Sequence, residues 1–250
     1  MCRHLAYLGP PLALDALLLR PSHSLLEQAT APRHQIGTHD NPDGFGVGWY
    51  ADDGSPPERY RTAKPMWADE RFPPLATQTR SGAVLAAVRN ATPGSVIDVS
   101  GNAPFTSGPY LFSHNGYVAG YRAGVADELR ARTSSRRLAG IDGDTDSETL
   151  FALVLDRLDE GRTAVDALAA TVATANGLGG GYLNLLLTDG RSIAATAAGN
   201  SLFVLDRADA RVVASEPFDD NPAWQAVPDR SAVVADVTGI RCSPLPEERP

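Results

Sequence analysis

Lysine is almost absent from this chain: Lys64 is the only one, and it lies in the polar, proline-bounded stretch Arg61–Pro65. A Schiff-base enzyme needs a lysine desolvated in a pocket, and a Walker-type phosphate loop needs Gly-Lys-Ser/Thr; neither is available. Cysteine is scarce as well. Cys2 and Cys242 stand at opposite ends and form no C-x-x-C pair, so zinc and redox motifs of that kind are excluded. A disulfide between them is disfavoured, because no export signal marks an oxidising compartment. His4, His23, His34 and His39 show no H-x-x-x-H spacing, and the nearness of His39 to Asp40 and Asp43 falls short of a ligand set. No metal and no cofactor is expected. A Gly-x-Ser-x-Gly elbow is missing too, which argues against a serine hydrolase of that type. No apolar run approaches the roughly 18 residues of a membrane span; Leu12–Leu19 is broken by Asp15. Positive charge is in deficit, with 22 basic against 30 acidic residues and a net charge of −8, a poor match to a phosphate backbone. Nucleic acid and membrane partners are not expected, and cytoplasm is the natural location.

What is present reads as mixed α and β structure. With 250 residues and a hydrophobic fraction of 43%, one domain spanning 1–250 is expected, with 241–250 as a flexible tail. Segments Gly44–Tyr50, Ala83–Arg89, Tyr110–His114, Tyr182–Thr188, Arg191–Ala197, Ser201–Leu205, Arg211–Ser215 and Ser231–Val237 have strand composition between turn signals. Asp189-Gly190 and Gly199-Asn200 predict hairpins joining neighbouring strands. Two helices are predicted between the strands. Thr145-Asp146-Ser147-Glu148 is a capping box, after which Leu150, Leu153, Val154 and Leu158 recur at helical spacing. The second helix spans about Thr163 to Ala175 and stops at Asn176-Gly177. Strands on both sides of a helical pair suggest two stacked antiparallel sheets covered by helices. Thr133–Gly143 is expected as a mobile polar loop, and Gly177–Gly181, which follows a helix and precedes a strand, as a connection rather than a nucleotide loop.

The residues able to carry chemistry are few. Methionine is removed when the second residue is small, so the mature chain is expected to begin at Cys2; a free N-terminal cysteine holds base and nucleophile in one residue. Read as a plain core cysteine, the same residue would simply pack under the first strand. His114-Asn115-Gly116 has the composition of a type I′ turn. A turn there also suits chemistry, since the Asn115 amide and the Gly116 N–H can both donate to one oxyanion. Arg89, at the end of an apolar strand, suits bidentate capture of a carboxylate or is an exposed strand-end arginine. Asp146 in the first helical turn complements the dipole or holds an ammonium. Alternating glycines in Gly44-Phe45-Gly46-Val47-Gly48 point to close sheet packing or ligand approach.

Taken together, Met1-Cys2-Arg3, Asp43-Gly44-Phe45-Gly46-Val47-Gly48-Trp49-Tyr50, Arg89-Asn90-Ala91-Thr92, His114-Asn115-Gly116 and Asp146-Ser147-Glu148 resemble, in order, the motifs of class II glutamine amidotransferases of the N-terminal-nucleophile (Ntn) hydrolase superfamily. The resemblance covers Met1 to about Asp220 and implies an α+β fold, a four-layer αββα sandwich. It implies Cys2 as nucleophile, Asn115 and Gly116 as oxyanion hole, and a small-molecule γ-glutamyl substrate whose α-carboxylate meets Arg89 and whose α-ammonium meets Asp146, with Thr92 lining the pocket. Pro93 departs from the pattern, standing where many members have histidine. Met1-Cys2-Arg3-His4-Leu5, Ala31-Pro32-Arg33 and Ser215–Asp220 are similar to the ergothioneine-pathway branch, which implies γ-glutamyl-hercynylcysteine S-oxide as substrate. The chain leaves no room for a synthase domain after the nucleophile domain, so water is the expected acceptor. The alternatives are a glutaminase subunit feeding ammonia to a separate synthase and a non-catalytic binding module on the same fold.

Overall fold

The computed structural model describes residues 2–37 and 40–246. Met1, His39 and the last four residues of the expected tail lie outside that set. Along the described residues run the strands β1 (Arg3–Ala13), β2 (Phe45–Trp49), β3 (Glu58–Thr62), β4 (Arg80–Val88), β5 (Phe105–Ser107), β6 (Tyr110–Val118), β7 (Gly181–Thr188), β8 (Ile193–Ala197), β9 (Phe203–Asp206), β10 (Arg211–Ala214), β11 (Gln225–Ala226), β12 (Ser231–Asp236) and β13 (Gly239–Pro244). The helices are α1 (Leu14–Leu18), α2 (Leu25–Gln28), α3 (Phe72–Gln78), α4 (Val125–Ala131), α5 (Ser135–Leu138), α6 (Asp146–Asp159) and α7 (Ala164–Asn176).

Two antiparallel sheets form the centre. The first has seven strands in the order β11-β9-β10-β1-β4-β2-β3, the second six in the order β13-β12-β8-β7-β6-β5. Period-two alternation assigns each side chain to a layer. On β1, Leu5 and Tyr7 join an outer cluster with Leu14, Leu17, Leu25 and Phe72 of α1–α3, whereas Ala6 meets Leu111, Leu186 and Ile193 of the facing sheet. On the far side, Phe112 stacks on Phe151 of α6 at 4.9 Å, and α6 and α7 cover the second sheet through Leu150, Leu153, Leu168 and Val172. Burying each such side chain stabilises by about 1.5–3 kcal/mol. The result is the αββα sandwich. The alternating glycines serve its packing: a Cβ on Gly48 would stand 2.6 Å from Leu111 Cδ1 of the opposite sheet.

The capping box is formed as the sequence predicts, with the Thr145 hydroxyl accepting from Glu148 N and Glu148 reaching back to Thr145 N; α7 starts on Thr163, which accepts from Asp166 N. Other expectations need correction. Asn115-Gly116 is not a turn. Tyr110–Val118 is one continuous strand in which Asn115 pairs with Asn184 and Gly116 with Leu183, because β7 offers a full-length partner that outweighs local turn preference. Nor is Gly199-Asn200 a hairpin between neighbours: β8 lies in the second sheet and β9 in the first, so this stretch carries the chain across the sandwich. The tail from 241 is strand as far as Pro244, with Cys242 opposite Val233. The loop expected to be mobile contains α5 and is tied down, since Ser134 N and Oγ both bond Asp156 and Arg137 forks onto Asp159.

Candidate active site

The sheet register brings the two ends of the site together. Arg3 pairs with Val88, so one step outward Cys2 stands opposite Arg89. Cys2 shares the parity of His4 and Ala6 and therefore faces the second sheet; Arg89 shares that of Leu85 and faces the same way. Both side chains open into one cleft whose walls include Cys2, Arg89, Thr92, Gly116, Thr145, Asp146 and Ser147. Cys2 is half-buried and not in a disulfide, with Sγ 3.8 Å from the Asn90 carbonyl.

Arg89 is buried rather than an exposed strand end, at 7% exposure. Its backbone is held by Gly44 O and by Asp43 N. The guanidinium donates to the carbonyls of Val96 and Asp98 at 3.2 and 3.5 Å, and Gly101 lies flat against it, since a Cβ there would come within 2.7 Å. No carboxylate among the described residues forms an ion pair with Arg89. A buried guanidinium held only by neutral carbonyls keeps its affinity for an incoming carboxylate. Asp146, the first residue of α6, is fixed by backbone donors: Oδ2 accepts from Val118 N and Oδ1 from Ser147 N, each at 2.8 Å. His114 Nε2 meets the Tyr182 carbonyl at 2.9 Å, and a carbonyl only accepts, so Nε2 carries a hydrogen; Nδ1 lies 3.1 Å from Ser147 Oγ. Thr92 sits on the exposed rim of the cleft.

Gly116 admits no other residue, because a Cβ would fall 1.8 Å from the Tyr182 carbonyl oxygen. Asn115 is fully buried between the sheets, where its Nδ2 donates to Ser215 Oγ at 3.2 Å and its Oδ1 has no partner among the described residues. Behind Cys2 lies an ionic network that sequence reasoning did not find. Arg3 Nε donates to the Cys2 carbonyl at 2.7 Å, Arg3 Nη1 meets Glu216 at 3.3 Å, and Glu216 also takes His23 Nε2 at 2.8 Å and Arg33 N at 2.6 Å. Burial pushes the Glu216 carboxyl up, but the bonds from His23 and Arg33 N and the Arg3 charge outweigh it and hold it below the usual range. His4, bonded to Ser113 Oγ at 3.1 Å, is pushed down to about 3 by burial, with Arg3 and His114 adding to the effect.

The family profile of class-II glutamine amidotransferases matches residues 24–209. The chain belongs to that family. It is 41% identical over 246 residues to the γ-glutamyl-hercynylcysteine sulfoxide hydrolase of Mycolicibacterium smegmatis, covering 98% of this chain and 100% of the relative. Identity is also 41%, over 247 residues, to the protein of the same name from Mycobacterium tuberculosis, covering 98% and 97%. Among solved structures, a glutamine aminotransferase class-II domain protein from Silicibacter pomeroyi superposes with a TM-score of 0.72 at 25% identity, covering 98% of this chain and 100% of that one. The glutamine phosphoribosylpyrophosphate amidotransferase of B. subtilis gives 0.68 at 15% identity, covering 99% of this chain and half of that protein, a likeness of fold alone.

This class-II amidotransferase chain thus brings Cys2, Arg89, Thr92, Gly116 and Asp146 to one cleft, whereas Asn115 is not among the residues lining it and is buried between the sheets. Sequence reasoning gave no role to Arg3, His4, Ser113, Ser147, Ser215 and Glu216, although all but Ser113 stand inside the motifs that carry the resemblance. Trp49 is core, and Trp224 packs edge-on against Phe218 at 5.2 Å. Tyr117, beside Gly116, stays 37% exposed. Among the described residues no helix is long and apolar enough to cross a membrane.

Proposed function

We propose that this chain hydrolyses the γ-glutamyl amide of γ-glutamyl-hercynylcysteine S-oxide, a step of ergothioneine biosynthesis, releasing hercynylcysteine S-oxide and glutamate through a thioester on Cys2. The observation that carries the reading is the cleft joining Cys2 to a buried arginine that forms no ion pair among the described residues and to a fixed carboxylate; the full-length likeness to hydrolases of that name supports it. With Met1 removed, the Cys2 amine takes the thiol proton as Sγ attacks the amide carbon. The Asn115 amide and Gly116 N–H stabilise the oxyanion. The amine then returns the proton to the departing nitrogen, the C–N bond breaks, and a glutamyl thioester remains. Water, deprotonated by the same amine, opens the thioester and frees glutamate with the thiol restored.

Arg89 receives the α-carboxylate and Asp146 the α-ammonium, so the pocket reads a free amino-acid head. Only a γ-linked glutamyl group leaves both charges free. The experiment follows glutamate release by the isolated chain from γ-glutamyl-hercynylcysteine S-oxide, its α-linked isomer and glutamine. Turnover of the γ-linked compound and rejection of the α-linked one is the expected result, with Arg89→Lys, which loses the two-pronged geometry, lowering kcat/KM. Equal rates on the two linkages would show that no such clamp exists, and glutamine turnover only with an added synthase would favour an ammonia-donating subunit.

A further inference from the structure

Cys2 and Arg89 extend strands of the first sheet, while Asn115 and Gly116 belong to the second. The distance from nucleophile to oxyanion donor is therefore set by how the two sheets sit on each other. Most of that contact is apolar, with Ala6, Leu85 and Val213 of one sheet against Leu111, Leu186 and Ile193 of the other. Apolar contact is non-directional: it fixes the spacing of two sheets better than their sliding. At the site end the contact changes character. Ser215 Oγ accepts from His4 N at 3.0 Å and from Asn115 Nδ2 at 3.2 Å, and Ser215 N donates to the His4 carbonyl at 2.8 Å. Ser215 and Asn115 are both fully buried.

We infer that Ser215 is a positioning residue that sets the oxyanion donor Asn115 against Cys2, by tying Asn115 Nδ2 to the β1 backbone two residues from the nucleophile. The inference rests on the reading above in which Asn115 stabilises the oxyanion. Three observations support it. The bond to Ser215 is the only hydrogen bond made by the Asn115 side chain among the described residues, so it alone orients the amide by a directional contact. Ser215 Oγ receives a donor from each sheet, filling both lone pairs with one bond from the nucleophile's strand and one from the oxyanion strand. Asn115 Nδ2 spends one hydrogen on Ser215 and retains the second for the substrate. Misplacement of a reacting group by about 1 Å can cost on the order of 10²-fold in rate, so one hydroxyl placed here has large leverage.

The test is a double-mutant cycle on the full chain, with glutamate release as the readout. Asn115→Ala should lower kcat by about 10²–10³-fold, the scale of one oxyanion donor. Ser215→Ala should lower kcat by about 10–10²-fold with KM little changed, a split that a merely structural role would not give. In the Asn115→Ala background Ser215→Ala should have no further effect, because the group it positions is gone. Ser215→Cys, close in shape but a poor acceptor, should behave as Ser215→Ala does and serves in its place if that variant does not fold. Unchanged kcat in the Ser215 variants, or losses that multiply in the double mutant, would overturn the inference while leaving the Asn115 assignment standing. Unchanged kcat in Asn115→Ala would remove the oxyanion assignment itself and the inference with it.

Discussion

Cys2→Ala should eliminate turnover, lowering kcat by on the order of 10⁶-fold, the scale at which a hydrolase loses its nucleophile, while the folded protein still binds its substrate. Among the described residues the thiol makes one weak hydrogen bond, to the Asn90 carbonyl, so its removal should cost little stability. Arg89 and Asp146 are held by other groups entirely, so substrate should still bind to the inactive variant with near wild-type affinity by calorimetry. A glutamine-like electrophile should label Cys2 in the wild type and spare Cys242, which lies exposed on β13 and does not line the cleft with Arg89 and Asp146. Labelling at Cys242 instead would contradict the assignment. Mass spectrometry of the active protein should give a chain without Met1; full activity with Met1 retained would rule out an amine base on Cys2.

The second large effect is on stability in acid. His4 is 1% exposed and titrates at about 3 in the folded protein because burial, Arg3 and His114 all disfavour its charge. In the unfolded chain it takes a proton near the ordinary histidine value of about 6.5. Between those two values the unfolded state binds the additional proton, so unfolding becomes easier as pH falls, by up to about 1.4 kcal/mol per pH unit. Above the upper value the contribution is complete. Glu216 acts in the same direction: its carboxyl is held below the usual range, so the stability it adds is present above the ordinary carboxylate value and lost as pH drops through the folded one. Urea denaturation at pH 7, 6, 5 and 4 should show wild type losing several kcal/mol across the series. His4→Gln, which retains a partner for Ser113 Oγ, should show a flatter profile; since Glu216 is common to both proteins, the difference isolates His4. Parallel profiles would mean that His4 is not the titrating group.

The parts of the fold that were legible are those governed by local chemistry. The capping box at Thr145 and the apolar spacing of Leu150, Leu153 and Val154 place α6 within a residue or two of where it lies, and Asp189-Gly190 does join β7 to β8. What was illegible depends on partners far away in sequence. Asn115-Gly116 has turn composition, and only the presence of β7 makes it strand. Gly199-Asn200 has the same composition and does bend the chain, but nothing local tells whether the next strand pairs with the last or departs for the other sheet. Strand β1 was passed over because Arg3, His4, Pro10 and Pro11 break the look of an apolar run. Yet β1 is central, paired with β4 on one side and β10 on the other. Arg3 and His4 are buried against partners more than 100 residues away, Glu216 meeting Arg3 Nη1 and Ser113 meeting His4 Nδ1. For the site, residue types and order pointed to Cys2, Arg89 and Asp146, whose chemistry is local. The part Ser215 plays was not legible even though the motif containing it was, since a serine after a strand shows no role until its two donors are known.

The placement of β1 bears on how the protein is made. This strand leaves the ribosome before both neighbours, and the second of them, β10, begins at Arg211. At about 5–20 residues per second, roughly 10–40 s separate the appearance of the strand that carries Arg3 and His4 from that of the strand that encloses it. Pairings this remote in sequence also form slowly once the chain is complete. Throughout that interval the polar bed of Arg3, His4 and Ser215 is unassembled and the residues before β1 have no β10 beside them. Under the proposed mechanism, trimming to Cys2 is then ordered ahead of active-site closure by topology.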